Sequence, residues 1–361
     1  MKEYKFVRVG AHDSYGRGVE YGRQARDEVH KCIATYREHM ENHKGIDWET
    51  AKVEAMAHLP LVEAALPPET AMLRGVSEGA GVSFEDIMIL NTRYEILHYP
   101  RNAAGTSADH ECTTYALLRE ATADGKVYIG QNWDQRPMVM PHTVVLHIAM
   151  EDGSKIMGLT EAGQLLRNGV NSHGLGLVAS SLNSSHDRLG VGIPGNFLRM
   201  RALRSKTFEE IVEVVSAFQR TVANNYCMAS APENKALDIE GIPELPCAIG
   251  PEGGVVTHAN HILCRPDLDT SKGKKFRGER LGAILRERIG AITPEYVRQC
   301  LSDHEGYPDS VCSHIPDGET DMHKAWMTVA SMLYNLDDGE MQLCWGNPCE
   351  GEFRTYRLED Y

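Results

Sequence analysis

The chain has 361 residues, enough to bury a large core in one to three domains, and its 42% apolar and 24% charged residues match an ordinary globular protein. A net charge of −14 argues against a nucleic-acid partner, because such binders need clustered Lys and Arg to displace counterions from phosphates. No window approaches about 18 consecutive apolar residues and the opening "MKEYKFVRVGAHDSYG" lacks a signal-peptide core, so a cytoplasmic setting without a membrane partner is expected.

Residues 16 to about 98 read as helical. "GRQARDEVHKCIATYREHM" places Ala25, Val29, Cys32, Ile33 and Tyr36 at helical spacing. "WETAKVEAMAHLPLVEAAL" is a second such segment, and "SFEDIMILNTRYEIL" a third, with Ser83 placed to cap it and Asp86 at the reciprocal position. Within this stretch "GVSEG" (75–79) fits the G-x-S-x-G nucleophile elbow around Ser77. An elbow needs a strand before it, whereas "PPETAMLR" reads as helix, so a serine hydrolase built on Ser77 is the weaker alternative.

The texture changes at "NAAGTSADHE" (102–111), which has the composition of a linker. Beyond it, "TYALLREATADGKVYIGQNW" and "HTVVLHIAMEDGSKIMGLTEAG" each carry Asp-Gly between β-prone runs, the signature of a hairpin. "GVGIPG" (190–195) fits a dinucleotide fingerprint only formally, because a polar loop rather than a strand feeds it. Helices follow in "PGNFLRMRALRSK" and "TFEEIVEVVSAFQ", the latter opened by Thr207 and Glu210.

Strands are expected at 226–231, 236–240 and 254–258, a solvated loop at "SKGKKFRGER" (271–280), and a helix from Thr293. "TVASMLYNLDDGEMQLCWG" closes the chain as another hairpin. This order predicts an α+β fold with sheets packed under helices: a helical amino-terminal segment over 1–111 and the remainder over 112–361. Nine cysteines at scattered spacings form no secreted disulfide framework, and a reducing setting fits them. Neither "HANH" (His258, His261) nor "CWGNPC" (Cys344, Cys349) has the second ligand pair of a zinc site, so no metal is expected.

Cys112 sits at the boundary between the two textures. Peptide-bond scission before it would create a new amino terminus, and a free α-amine, with a pKa of about 7.7–8.0, can act as general base for its own side chain. A thiol beside such a cationic group is expected to be more thiolate-rich than the reference value of about 8.5 allows.

"ECTTYALL" and "GQNWDQRP" closely resemble the acyl-coenzyme A:6-aminopenicillanic acid acyltransferase family, family C45 of the N-terminal-nucleophile enzymes. The resemblance continues through "LTEAGQLLRNGVNSHGLGL", "GIPGNFLRMRAL", "VVTHANHIL" and "YPDSVCSH", and includes the early "SYGRGVEYGRQAR". It implies a four-layer αββα sandwich and scission between Glu111 and Cys112, giving an α chain and a β chain that stay together as a heterodimer. It also implies that Cys112 is the nucleophile, that Asp134 positions it, and that Asn260 donates to the oxyanion.

Asn171 matches a pocket asparagine of wider bile-salt-hydrolase relatives, and Thr113, Ser313 and His314 are further candidates for substrate or oxyanion contacts. Two positions depart from the family. Ser313, followed by His314, stands where arginine often follows "S-I-C", and Glu111 stands where glycine often precedes the nucleophile. The implied activity is an amidohydrolase or acyltransferase acting on a small N-acyl amide or acyl thioester, with no cofactor and with acyl-coenzyme A entering only as a substrate. A penicillin-type acyl-coenzyme A-dependent N-acyltransferase and an unprocessed, non-catalytic scaffold of the same fold are the alternatives.

Overall fold

The computed structural model describes residues 3–98, 112–273 and 275–360. The expected linker at 102–111, with Glu111, lies outside the described residues.

The amino-terminal segment is helical as expected, but among the described residues its three periodic segments and the stretches beside them divide into six α-helices: α1 (Ser14–Gln24), α2 (Arg26–Glu38), α3 (Trp48–Ala57), α4 (Leu59–Ala65), α5 (Pro67–Ala80) and α6 (Phe84–His98). Ser83 Oγ accepts the N–H of Asp86 at 3.1 Å, the expected cap of α6, while the Asp86 carboxylate instead receives the indole N–H of Trp48 at 2.8 Å. The "GVSEG" segment lies wholly inside α5, and Ser77 donates its hydroxyl to Arg74 O at 2.8 Å. Its glycines have another use. A Cβ on Gly75 or Gly79 would collide with the backbone of α1, so these two positions let the helices cross in contact.

Two helices follow in the middle of the chain, α7 (Gly195–Leu203) and α8 (Phe208–Ala217), and two later, α9 (Arg277–Arg286) and α10 (Pro294–Leu301). Thr207 Oγ1 caps α8 by accepting the N–H of Glu210 at 3.2 Å, and Thr293 caps α10 in the same way through Tyr296 at 3.2 Å. The expected solvated loop at 271–280 is corrected: α9 begins inside it, and Arg277 is buried because its side chain turns inward to Asn260.

The strands form two sheets. The first holds β1 (Lys5–Val9), β4 (Thr143–Ala149), β5 (Lys155–Glu161), β6 (Gly169–Asn171), β7 (Leu175–Ser181), β8 (Asn224–Ser230), β9 (Lys235–Gly241) and β10 (Cys247–Ile249), in that order. The second runs β11 (Val255–His258), β2 (Thr113–Leu117), β3 (Tyr128–Gln135), β12 (Met327–Asn335), β13 (Glu340–Trp345) and β14 (Phe353–Arg357). Asp-Gly turns close the β2–β3 and β4–β5 hairpins, with Gly125 at φ 68° and Gly153 at φ 84°, the left-handed region that glycine enters without steric cost.

Three cores define the layers. Helices α1–α8 pack on the outer face of the first sheet around Val29, Leu73, Ile89, Leu146 and Phe197. Ile129, Val145, Leu159, Val178 and Met332 interdigitate between the sheets. Leu281, Leu285, Val297 and Leu301 of α9 and α10 cover the second sheet. The result is an αββα sandwich.

The amino-terminal segment is not purely helical. β1, missed in the sequence, pairs in parallel with β4, Lys5 facing Val144, so the segment supplies both a strand and most of one helical layer. Cys247 and Cys264 form a disulfide, which corrects the expectation of uniformly reduced cysteines: pairing of β10 on β9 and the return of the chain bring their Cα atoms to 6.2 Å, a bridgeable separation.

Candidate active site

Cys112 immediately precedes β2, with its thiol in the inter-sheet core and only 4% exposed. Register brings it to β3: Thr113 faces Asn132, so the residue before Thr113 runs alongside Trp133 and Asp134. Cys112 Sγ accordingly lies 3.7 Å from the main-chain oxygen of Asp134.

Asp134 is held from the opposite strand. Thr328, its register partner on β12, donates its hydroxyl to Asp134 Oδ1 at 2.6 Å. The same hydroxyl oxygen accepts the N–H of Ser313 at 3.0 Å, and Thr328 N–H donates to Ser313 O at 2.9 Å. Asn132, two residues before Asp134, donates its amide to Leu301 O and Val311 O, each at 2.8 Å. The loop between α10 and β12 is therefore fastened to β3 behind the thiol.

A narrow cleft opens beside Cys112, lined among others by Trp133, Asp134, Ser181, Arg93, Arg167 and Arg199. Glu161 organises two of the arginines. Fully buried at the end of β5, it is paired with Arg93 and with Arg167 at 3.1 Å, accepts the Tyr36 hydroxyl at 2.7 Å and lies 3.3 Å from His142 Nε2. Burial alone would raise the Glu161 carboxyl, but Arg93, His142 and Arg167 outweigh it and hold it well below the usual carboxylate range. Arg167 stacks its guanidinium over Trp133, 4.5 Å from the ring centroid. Arg199 is held differently, by the amide oxygens of Asn196 at 3.1 Å and Asn224 at 2.8 Å, and no carboxylate pairs with it among the described residues. It lines the cleft, and the buried Glu95 carboxyl is near enough to feel its charge.

The expectation of a thiolate-rich Cys112 belongs to a thiol beside a freed α-ammonium; without that charge the balance runs the other way. Burial pushes the thiol up to about 12, the Asp134 charge adds to this, and Arg167 and Arg277 oppose it only in part. Such a thiol is neutral at pH 7 and needs a base at the moment it reacts. No histidine lines the cleft among the described residues.

The other sequence candidates divide. Ser313 reaches the site through Thr328, as above, and Thr113 is buried on β2 beside Cys112. Asn260 lies behind Ser181, a cleft residue, with its Nδ2 donating to Ser181 O at 2.9 Å and Oγ at 3.1 Å; its Oδ1 accepts from Arg277 at 3.3 Å. Asn171 lies elsewhere. Its Nδ2 caps the carbonyls of Leu203 and Ser205 at 3.0 and 2.8 Å, its Oδ1 accepts from His173 N and Leu175 N, and it borders a separate depression with Arg119. His314 points its ring at Cys312 and Cys349 instead of the cleft.

Sequence reading missed Arg93, Arg167, Arg199 and Thr328. A signal existed for two of them, because Arg93 and Arg199 interrupt helices whose neighbouring positions are almost all buried.

A family profile described as acyl-coenzyme A:6-aminopenicillanic acid acyl-transferase matches residues 121–350, beginning beyond Cys112. The acyl-coenzyme A:6-aminopenicillanic-acid-acyltransferase 40 kDa form of Emericella nidulans is 25% identical over 252 residues, 68% of this chain and 67% of that protein. Among solved structures, a variant of conjugated bile acid hydrolase from Clostridium perfringens superposes with a TM-score of 0.47 at 15% identity, over 68% of this chain and 97% of that one. Penicillin V acylase from Agrobacterium tumefaciens gives 0.43 at 12% identity, over 65% and 83%. The extent of the profile match settles the relationship, and the chain belongs to the acyl-coenzyme A:6-aminopenicillanic acid acyl-transferase family.

Proposed function

We propose that the protein is an N-terminal-cysteine amidohydrolase or acyltransferase that cuts itself before Cys112 and then acts on small N-acyl amides or acyl thioesters. The observation that carries this reading is a buried, neutral thiol at the head of β2, in a cleft without histidine among the described residues. The nearest group able to accept its proton is the α-nitrogen of Cys112 itself, once that nitrogen is freed as an amine.

In the processing step Cys112 Sγ attacks the Glu111 carbonyl carbon. The C–N bond breaks as the C–S bond forms, the thiol proton goes to the departing nitrogen, and water hydrolyses the resulting thioester. Residues 1–111 then end in a carboxylate and Cys112 carries a free amine. In turnover that amine takes the thiol proton while Sγ attacks the substrate carbonyl. The oxyanion receives a hydrogen bond from Asn260 Nδ2, whose bond to Ser181 O orients the amide and whose second hydrogen leaves Ser181 Oγ for the substrate. The leaving amine takes the proton from the α-ammonium. Water or a second amine then releases the acyl group from sulfur, so hydrolysis and transfer differ only in the acceptor.

Asp134, tied to Thr328, holds the Cys112 end of the cleft in place. Arg199 supports a substrate class: its guanidinium lines the cleft with amide oxygens rather than a carboxylate as its hydrogen-bond partners among the described residues, which suits an amide that carries a carboxylate on its acyl or amine side. Arg167 and Arg277, whose charges act on Cys112, supply cations near the thiol where the family's arginine is replaced by Ser313.

Denaturing mass spectrometry of the purified protein tests the reading. Fragments 1–111 and 112–361 are expected from the wild type and a single intact chain from Cys112→Ala. A wild type that is active yet uncut would overturn self-processing, and one inactive on any N-acyl amide or thioester would favour the scaffold alternative.

A further inference from the structure

Away from the cleft, four side chains converge on one point. His304 and His314 lie in the loop after α10, Cys312 lies in the same loop, and Cys349 lies in the turn after β13. Their Nε2 and Sγ atoms all fall within 4.8 Å of one another. Cys312 Sγ and Cys349 Sγ are 3.6 Å apart, and His304 Nε2 and His314 Nε2 are 3.1 Å apart. Between sulfur and nitrogen, His314 Nε2 is 3.4 Å from Cys312 and 3.5 Å from Cys349.

These lengths are close to the edges of a coordination tetrahedron. With Zn–S of about 2.3 Å and Zn–N of about 2.0–2.1 Å, a regular tetrahedron has edges of about 3.8 Å between sulfurs, about 3.6 Å between sulfur and nitrogen and about 3.4 Å between nitrogens. Of the six edges, these four fall slightly short of the regular values, in the same order, and the two from His304 to the sulfurs lie within 4.8 Å. Thiols are weak donors and weak acceptors, so the close approach of Cys312 and Cys349 to each other and to His314 gains little without a cation.

We propose that His304, Cys312, His314 and Cys349 form a Cys2His2 site for a structural zinc ion. Four protein ligands close the shell and leave no position for substrate, which separates the site from catalytic zinc. The surroundings suit this role. Asn347 Nδ2 lies 3.4 Å from Cys312 Sγ and 2.7 Å from Ser313 O, an amide donor to a ligand sulfur of the kind that orients metal thiolates. The ligands' backbone is pinned as well, with Cys312 N donating to Asp303 O at 3.0 Å and His314 N to Pro308 O at 2.9 Å. Cys312 is buried, His314 half-buried, and His304 and Cys349 exposed, so the ion would have a path from solvent.

A zinc ion there would tie the loop after α10 to the β13–β14 turn. Ser313, next to Cys312, holds the Thr328 hydroxyl that holds Asp134, so the ion would brace the strut behind the cleft. A second trio, Cys32, His142 and Glu161, carries no such inference, because Arg93 and Arg167 already neutralise its carboxylate.

Metal analysis by inductively coupled plasma mass spectrometry on protein purified without chelator should find one zinc per chain. Cys349→Ser and His304→Gln each remove one exposed ligand and should lose the zinc while the circular dichroism spectrum stays folded. Asn347→Ala should keep the site but weaken its zinc affinity by about 10–100-fold in a chelator competition. Cobalt exchanged into the wild type should show tetrahedral d–d bands and a thiolate-to-cobalt charge-transfer band. Stoichiometric binding of another metal, zinc retained by folded Cys349→Ser, an octahedral cobalt spectrum, or a Cys312–Cys349 disulfide in the non-reduced peptide map would each overturn the assignment. None of these measurements depends on catalysis or on scission at Cys112.

Discussion

Thr328 donates its hydroxyl to Asp134 Oδ1 at 2.6 Å across the β3–β12 pairing, and the same oxygen receives the N–H of Ser313. Thr328→Val keeps the volume and removes both bonds, leaving the buried Ser313 N–H without its acceptor and taking one hydrogen bond from the Asp134 carboxylate. The expected cost is about 1–3 kcal/mol of stability, together with slower conversion of precursor to fragments. Thr328→Ser should restore both. Urea denaturation and timed electrophoresis of the precursor read the two effects separately, and unchanged processing in the valine variant would remove Asp134 from the positioning role.

Asn260 and Ser181 separate catalysis from packing. If Asn260 Nδ2 moves one hydrogen from Ser181 Oγ to the oxyanion, Asn260→Ala should lower kcat by about 10²–10³. KM should move much less, because the interaction strengthens in the transition state. Ser181→Ala, which removes only the resting acceptor, should leave kcat within about tenfold. A lowered thermal midpoint for Asn260→Ala with normal turnover per folded molecule would make the residue structural.

The Arg199 guanidinium predicts selectivity. Arg199→Gln should reduce kcat/KM for an N-acyl amino acid by about 10–150-fold, the worth of a charge-assisted bond, while barely changing it for the corresponding amino acid amide. Equal losses on both compounds would place the arginine's role in holding Asn196 and Asn224 rather than in recognising an anion.

His258 predicts a dependence of stability on pH. It is fully buried, 2.9 Å from Glu240, and although burial alone would lower it, Asp238 and Glu240 raise it to about 8. The unfolded value is about 6.5. The folded value is the higher of the two, so this contribution is complete below about pH 6.5 and is lost as pH rises through about 8. The expected loss is about 2 kcal/mol, read as the difference in unfolding free energy between pH 6 and pH 9 for wild type and for His258→Gln. A histidine variant with the same pH slope as wild type would contradict it.

The legible parts of this chain were those set by local signals. The helical amino-terminal stretch, the caps at Ser83, Thr207 and Thr293, and the Asp-Gly hairpins stand where periodicity and turn chemistry put them, although the breaks at Ala25 and His58 that divide the periodic segments were not marked. Short edge elements were not legible: β1, β10 and β14 owe their structure to a neighbouring strand rather than to their own pattern. At the site, the resemblance named Cys112, Asp134 and Asn260, but the arginines escaped it because Arg93, Arg167 and Arg199 come from segments far apart in sequence, each held by a side chain whose position only the fold reveals. The Cys349 cluster was missed for the same reason. Its second cysteine lies 37 residues away, beyond any spacing rule.

β1 carries a further consequence for the life of the molecule. Tyr4, just ahead of it, sends its hydroxyl to Val329 O at 2.6 Å and rests its ring 4.2 Å from Trp345, so the first residues of the chain touch both sheets. A cut before Cys112 would leave that strand and the six helices in place while erasing the covalent memory of how they arrived. Assembly before the cut is an intramolecular search at fixed effective concentration. After it, renaturation becomes an encounter between two polypeptides whose success falls with dilution, and each would expose a large apolar face while waiting. The mature molecule would therefore persist by the height of its unfolding barrier rather than by reversible equilibrium, and heating it once should be a one-way event that the uncut Cys112→Ala chain escapes.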